Sequence, residues 1–380
     1  MSQPTFRAGV GRVDITPPLT APHASWGAQV HVLPDGVEAA LWATALVVAD
    51  GATMAAWIDL DVVIITGPES EAIRVAVSRE LGIPAANVRV SVTHNHAGPP
   101  PSTWNWTRQG QAALEGYFTL LPESAAGAAR LALRDLRPAR VAVGSGESRV
   151  AVNRREIAPN GRPVTGVNRD GFMDPRVFVL RIDDRERKPL AAVVGYTMHP
   201  TTLGPTNRVI SPDWPGHMKR TVETITGATC LFAQGATGNV GPGPEGFTGD
   251  ASVVRKLGAQ VGCEAARVYL GLDVPAVSYR HERVWESGAP LGKWTADPVD
   301  EPEPVVRARA STISLPLIAQ PPLAEALARV DEAQQRLDQL KAAKAPAAEV
   351  EAATFATKRA NMAHWRAETY GGQTSAPIAL

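Results

Sequence analysis

The chain has 380 residues, 44% of them hydrophobic, and 38 basic side chains balance 38 acidic ones to a formal net charge of zero. That length and apolar content supply a sizeable buried core, as one large domain or two smaller ones. The charge balance, with no basic stripe, gives no footprint for nucleic acid. No segment is long and apolar enough to span a membrane. Residues 1–7, MSQPTFR, lack the basic and apolar regions of a secretory leader. A cytoplasmic protein is expected, or a secreted one if a leader has been removed. Cys230 and Cys263 have no metal-ligand spacing and read as two buried thiols rather than a disulfide.

Residues 41–49 and 52–61 are apolar runs around Asp50-Gly51, the pattern of a hairpin. Thr66-Gly67-Pro68-Glu69 opens a helix with a capping-box pattern, and Gly82 closes it. Residues 88–92 read as a short strand, ended by Gly98-Pro99. Residues 109–135 have a helical pattern with a break at Pro122, and 139–144 form a strand. Residues 177–182 and 190–197 are β-like, 214–226 helical, 229–234 a strand and 252–269 helical. This alternation predicts an α/β fold, a layered domain with a largely buried mixed sheet flanked by helices.

The last part of the chain differs. Residues 286–305 are rich in Pro, Gly and charge and read as an exposed connection. Leu323, Leu327, Val330, Leu337 and Leu340 follow heptad-like spacing. A second helix, about residues 347–370, follows the break at Lys344-Ala345-Pro346. The expected organisation is an α/β domain over residues 5–320, with a helical hairpin over 321–372 packed on it as structural cover.

Three histidines stand at apolar runs that read as strand ends. His94 and His96 lie in Thr93-His94-Asn95-His96-Ala97-Gly98-Pro99, and His199 ends the run Val193-Val194-Gly195-Tyr196-Thr197-Met198-His199-Pro200. Residues i and i+2 of a strand share a face, so a strand continued through His96 aims two imidazoles at one pocket. Ligands gather outside the carboxyl ends of strands in open α/β sheets, and neutral imidazole is a common zinc ligand. The three together read as a metal site. Gln234-Gly235-Ala236-Thr237-Gly238-Asn239-Val240-Gly241-Pro242 follows a strand and reads either as a loop whose backbone N–H groups face a substrate oxygen or as a set of tight turns. It has no Walker lysine, which argues against phosphate cradling. Val152-Asn153-Arg154-Arg155 taken alone reads as a solvated surface. Trp104-Asn105-Trp106 reads as loop packing or the lining of a substrate mouth.

In order along the chain, these stretches resemble the neutral/alkaline non-lysosomal ceramidases, zinc-dependent amidases that cleave the amide of ceramide. Gly9-Val10-Gly11-Arg12-Val13-Asp14-Ile15-Thr16-Pro17 resembles the family's opening strand, and Thr93 to Pro99 its THTHSGP motif. Asn153-Arg154, Met198-His199-Pro200, Ser211-Pro212-Asp213 and residues 232–242 resemble its later motifs. The resemblance implies Zn2+ held by His94 and His199, with His96 beside the metal as a proton shuttle or oxyanion donor and Arg154 facing the substrate. It implies a hydrolase of lipid metabolism, specifically sphingolipid metabolism, acting on a small-molecule or lipid amide, with no nucleic-acid partner and no integral membrane segment.

Two departures qualify what the resemblance implies. The family's Gly-Asp-Val-Ser-Pro loop is here Gly238-Asn239-Val240-Gly241-Pro242, so its active-site serine is Gly241, which cannot act as a nucleophile. The family also takes a glutamate and a tyrosine as late zinc ligands, and no Pro-Gly-Glu segment follows the helical hairpin before Leu380. A catalytic zinc usually keeps three protein ligands and one open position. His96 is a candidate third ligand, and Asp59, Asp61 and Asp213 are candidate replacements. The alternative expectation is a non-catalytic or differently specific relative: an ester or cyclic-amide hydrolase, or a binding protein.

Overall fold

The computed structural model describes residues 5–103, 108–274, 276–300 and 303–379. The chain forms two compact units, Met1–Ala308 and Arg309–Leu380.

The first unit opens with β1 (Arg7–Asp14), a short β2 (Gly36–Val37), β3 (Trp42–Ala49) and β4 (Met54–Leu60). Helix α1 (Gly67–Leu81), β5 (Val88–Val92), α2 (Gln111–Arg134) and β6 (Arg137–Glu147) follow. Next come β7 (Val152–Ile157), β8 (Pro163–Asn168), β9 (Arg176–Asp184), β10 (Pro189–Tyr196) and a short β11 (Val209–Ile210). Helix α3 (Asp213–Thr226), β12 (Thr229–Gln234), the short β13 (Val240–Gly241) and α4 (Ala251–Leu270) complete the core. A hairpin of β14 (Val277–Glu286) and β15 (Pro290–Pro298) comes after it.

Eight strands make one mixed sheet in the order β12-β10-β9-β6-β1-β3-β4-β5. Only the outer pairs, β4 with β5 and β10 with β12, are parallel. Alternate residues of a strand point to opposite faces, and both faces are apolar here. Ala43, Ala45 and Val47 of β3 pack under α2, with Leu114, Phe118 and Leu121. Ala192, Val194 and Tyr196 of β10 pack under α3 and α4, with Trp214, Met218 and Val261. The intervening residues, Leu46 of β3 with Ala191 and Val193 of β10, meet Leu231 in a third cluster. The sheet is therefore folded over on itself, with one pair of helices outside each half. The expected layered α/β fold with a mixed sheet is what the chain adopts.

Local signals explain most of the elements. Asp50 turns the β3–β4 hairpin by accepting from the backbone of Ala52 and Thr53. Thr66 and Glu69 cap α1 reciprocally, and Gly82 ends it in the left-handed conformation at φ 65°. Helix α2 approaches β1 so closely that a Cβ on Gly9 or Gly11 would lie 2.2 Å from the Ala132 carbonyl or 2.3 Å from that of Ala128, which only glycine permits. Pro122 does not break α2, contrary to expectation. An interior proline costs about 3 kcal/mol, and burying Leu114, Phe118 and Leu121 offsets it at about 1.5–3 kcal/mol each. Residues 286–300 are largely exposed as expected, but most of that stretch is paired in the β14–β15 hairpin. Cys230 is buried and Cys263 is exposed. Cys263 sits on α4 two residues after Val261, off the face carrying buried Val261 and Ala265.

The second unit is a helical hairpin, α5 (Leu323–Ala342) and α6 (Ala347–Tyr370), with a two-stranded ribbon of β16 (Thr312–Pro316) and β17 (Ser375–Ala379). Leu337 and Leu340 of the heptad-like series are buried with Ala353, whereas Leu323 and Leu327 are exposed.

The two halves of the sheet are tied by buried charge. Lys219 of α3 reaches Asp61 Oδ1 at 2.7 Å and Asp59 Oδ2 at 3.3 Å. Asp59 Oδ2 also accepts from the backbone N–H of Phe232 in β12, and Asp61 Oδ2 from that of Trp42. Burial pushes the Lys219 ammonium down, but the two aspartates outweigh it and hold its pKa above the ordinary lysine value. Removing one member of a buried ion pair strands the other charges. Lys219→Met is therefore expected to lower stability in urea unfolding by about 3–5 kcal/mol. Adding Asp59→Asn and Asp61→Asn should recover much of that loss. A Lys219→Met variant as stable as the wild type would contradict this clamp.

Candidate metal centre

His94, His96 and His199 come together on the loops that follow the parallel strands β5 and β10. Strand β5 stops at Val92, and His94 takes the left-handed conformation at φ 61°. The expected same-face argument therefore fails, and the two imidazoles converge through a turn. Backbone bonds hold that turn: Thr93 N to the Leu60 carbonyl (2.9 Å), His94 N to that of Val62 (3.0 Å) and His96 N to that of Pro200 (3.3 Å). The last of these joins the β5 loop to the residue after His199. His199 N donates to the Val240 carbonyl (3.1 Å).

Each ring is oriented by a backbone carbonyl. Nδ1 of His94 lies 2.6 Å from the Val63 oxygen, that of His96 3.3 Å from the Ser25 oxygen, and that of His199 3.2 Å from the Thr237 oxygen. A carbonyl only accepts, so each Nδ1 carries the proton and each neutral ring leaves Nε2 bare. The ligand atoms of the three lie within 4.8 Å of one another, and they are the one such group of His, Cys, Asp and Glu among the described residues. Bare nitrogens fixed by carbonyls are the arrangement in which imidazoles hold a metal, so these residues fit a zinc ion.

The electrostatics favour the neutral form. Burial, then the neighbouring His94 and Arg154, pushes His96 down to about 4. Burial, then Arg154 and the other two rings, pushes His199 down to about 3. Burial and Arg154 lower His94 as well. Arg154, in β7, is half-buried, and both its Nε (3.3 Å) and Nη2 (3.0 Å) donate to the Gly238 carbonyl. Asn153 beside it is structural: it donates to the Phe172 carbonyl and accepts from the Arg155 N–H.

The glycine-rich loop acts on the site through its carbonyls. Thr237 and Val240 hold His199, while Gly238 and Asn239 hold Arg154. Gly241 lies against Arg154, and a Cβ there would stand 3.4 Å from Arg154 Cδ, an ordinary contact. Asp59 and Asp61 are engaged with Lys219, and Asp213 accepts from the N–H groups of Leu203 and Trp214. None of the three carboxylates joins the histidine group. Asp59 lies in β4 and Asp61 just after it, whereas Asp213 opens α3 and ties down Leu203 in the segment after His199. Trp104-Asn105-Trp106 lies outside the described residues.

Two features had no signal in the sequence. The Val63, Ser25 and Thr237 carbonyls carry no side-chain signature. Trp26 sits in a loop without periodicity, yet its ring packs on His96 with centroids 5.0 Å apart, and Phe247 meets Trp26 edge-on at 5.8 Å.

The sequence profile of the N-terminal part of the neutral/alkaline non-lysosomal ceramidases matches residues 6–252. The neutral ceramidase of Pseudomonas aeruginosa is 24% identical over 250 residues, 62% of this chain and 37% of that protein. Neutral ceramidase B of Dictyostelium discoideum is 28% identical over 177 residues, 43% of this chain and 24% of that protein. The chain thus spans 24% to 37% of the length of these relatives. The crystal structure of the Pseudomonas aeruginosa neutral ceramidase superposes with a TM-score of 0.56 at 22% identity, covering 74% of this chain and 47% of that one. At that identity the likeness is one of fold.

The depressed histidine values set a pH dependence. Unfolded imidazoles titrate near 6.5, so between that value and about 4 the unfolded chain binds more protons than the folded one. The stability tied to neutral rings is present above about pH 6.5 and is lost as pH falls through the folded values. The urea midpoint of the metal-free protein is expected to fall from pH 6.5 to 4, and to fall less in the His96→Gln, His199→Gln double variant. An equal fall in both would contradict the assignment.

Proposed function

The chain belongs to the neutral/alkaline non-lysosomal ceramidase family, and on that premise we propose that it is a zinc-dependent amidohydrolase in which water attacks an amide carbonyl. The observation that carries the reading is the convergence of three bare Nε2 atoms beside a half-buried guanidinium. The matched relatives are described as neutral ceramidases, and one similar structure as a ceramidase complexed with C2. An N-acyl lipid amide is the substrate class that this supports.

When bound, zinc polarises the amide carbonyl and lowers the pKa of a water molecule towards about 7. His94 and His199 would hold the ion, with the His96 ring beside it. Gly238 engages the Nε and Nη2 edge of Arg154, which leaves Nη1 to meet charge developing on the carbonyl oxygen. Trp26 and Phe247 offer an apolar surface beside His96 for an acyl chain. Gly241 supplies no hydroxyl, so no acyl-enzyme forms at that position and the attacking group is water.

A second reading, a relative that binds metal without turnover, is favoured by Gly241 alone. Metal analysis with an amide and ester panel separates the two. Zinc is expected near one equivalent per chain and lost in His94→Ala and His199→Ala. Hydrolysis of N-acyl lipid amides should stop with chelator, and Arg154→Ala should slow it about 100- to 1,000-fold. Stoichiometric zinc without hydrolysis of any amide or ester would establish the second reading.

Gly241→Ser is expected to fold with a loss of stability of no more than about 1 kcal/mol, because its Cβ meets Arg154 at ordinary contact distance although the position is buried. A large loss of stability in urea unfolding would show that the loop is packed too tightly for any side chain.

A further inference from the structure

We infer that Arg155 is a receptor for an oxyanion on the amine part of the substrate, so that this chain takes N-acyl amides carrying a carboxylate or phosphate there in preference to uncharged ones. This rests on the amide-hydrolase reading and narrows its substrate class.

Three observations carry it. First, two guanidiniums meet where no acid balances them. Arg154 Nε and Nη2 and Arg155 Nη2, the last at 2.8 Å, all donate to the one Gly238 carbonyl. Consecutive residues of a strand ordinarily point to opposite faces, yet these two side chains turn to the same oxygen. Neither forms an ion pair among the described residues, and residues 234–244 contain no Asp or Glu. Glu156, the next residue of β7, is taken up by the Val167 N–H. Like charges held together disfavour each other; burial, then Arg155, lowers the pKa of Arg154. An oxyanion at Arg155 relieves that repulsion.

Second, Arg155 is held in place. Its N–H donates to Asn153 Oδ1 and its carbonyl accepts from Asn168 Nδ2, both at 2.9 Å. Of the five N–H donors of a guanidinium, only one on Nη2 is used, by Gly238. Arg155 is exposed, and a Cβ built on Gly238 would meet nothing within 4 Å, so the space beside the shared carbonyl is open. A guanidinium fixed in this way offers its planar fork to a carboxylate or phosphate.

Third, the position suits the amine end of an N-acyl amide. Gly238 follows Thr237, whose carbonyl takes the His199 ring, whereas Trp26 packs on His96. An acyl chain on Trp26 and Phe247 leaves the amine part towards His199 and the two arginines. Arg154 bears on all three rings, and Arg155 bears on Arg154. Arg155 is thus the outer of the two, placed for a group beyond the scissile bond.

The test compares N-octanoylglycine and N-octanoyl-O-phosphoethanolamine with uncharged N-octanoylethanolamine on the whole chain. Calorimetry reads binding to the metal-free protein, and kcat and KM are read on the zinc-loaded one. The anionic amides are expected to bind about 10- to 100-fold more tightly, with lower KM at similar kcat, and the advantage should shrink as salt is raised. The tighter of the two identifies the oxyanion. Arg155→Gln should bring the three affinities together, and Arg155→Lys should restore part of the difference. Equal affinity for charged and uncharged amides in the wild type, or a preference unchanged in Arg155→Gln, would overturn the inference even where amides are hydrolysed. A preference lost in Arg155→Gln, with no amide hydrolysed, would support the oxyanion site and overturn the hydrolase reading alone. The wild-type comparison decides the matter even if a variant does not fold.

Discussion

The structure depends on one buried ammonium. Lys219 reaches from α3 to Asp59 and Asp61, where β4 ends. The next two residues, Val62 and Val63, supply the carbonyls that hold the His94 backbone and ring. On the other side, Asp59 also holds β12 through Phe232, and the loop after β12 supplies the carbonyls that hold His199 and Arg154. A single charge cluster therefore fixes both strand ends that carry the candidate centre. Buried ion pairs contribute little net stability in general. Here the geometry they impose is the consequence that matters, because a metal centre needs its ligands placed before the ion arrives.

The second constraint is the tautomer. Three carbonyl acceptors force three Nδ1–H imidazoles, and this creates a patch of unpaired lone pairs in a half-buried position. Burial and Arg154 keep the rings neutral, so protonation does not relieve the repulsion near neutral pH. The folded chain holds the histidines in a state whose natural relief is a cation. The left-handed backbone at His94 (φ 61°) is in keeping with this, since strained residues persist where surrounding bonds over-determine them.

What the sequence revealed follows the range of the interaction. The capping box at Thr66, the stop at Gly82, the turn at Asp50-Gly51 and the helical hairpin around Pro346 are local and were legible. So were the three histidines, because their residue type and their place after apolar runs are visible in one dimension. The same-face argument for His94 and His96 failed because β5 ends at Val92 and the chain turns. The continuity of α2 through Pro122 was missed because a long buried face decides it, not the proline. The carbonyl clamps and Trp26 were illegible for a different reason. Backbone oxygens look alike in every sequence, and the folding of the sheet that brings Ser25, Val63 and Thr237 to three rings is a long-range outcome. Asp59 and Asp61 were noticed as possible ligands, and their partner Lys219, some 160 residues away, explains why they are not.

The central proposal is that His94 and His199 hold one metal ion beside His96. A crystal grown with zinc and measured at the zinc absorption edge tests it most directly. The account requires a single strong anomalous peak within about 2.0–2.1 Å of the Nε2 atoms of His94 and His199. A map with no peak there, or with the zinc bound only at other residues, would contradict it.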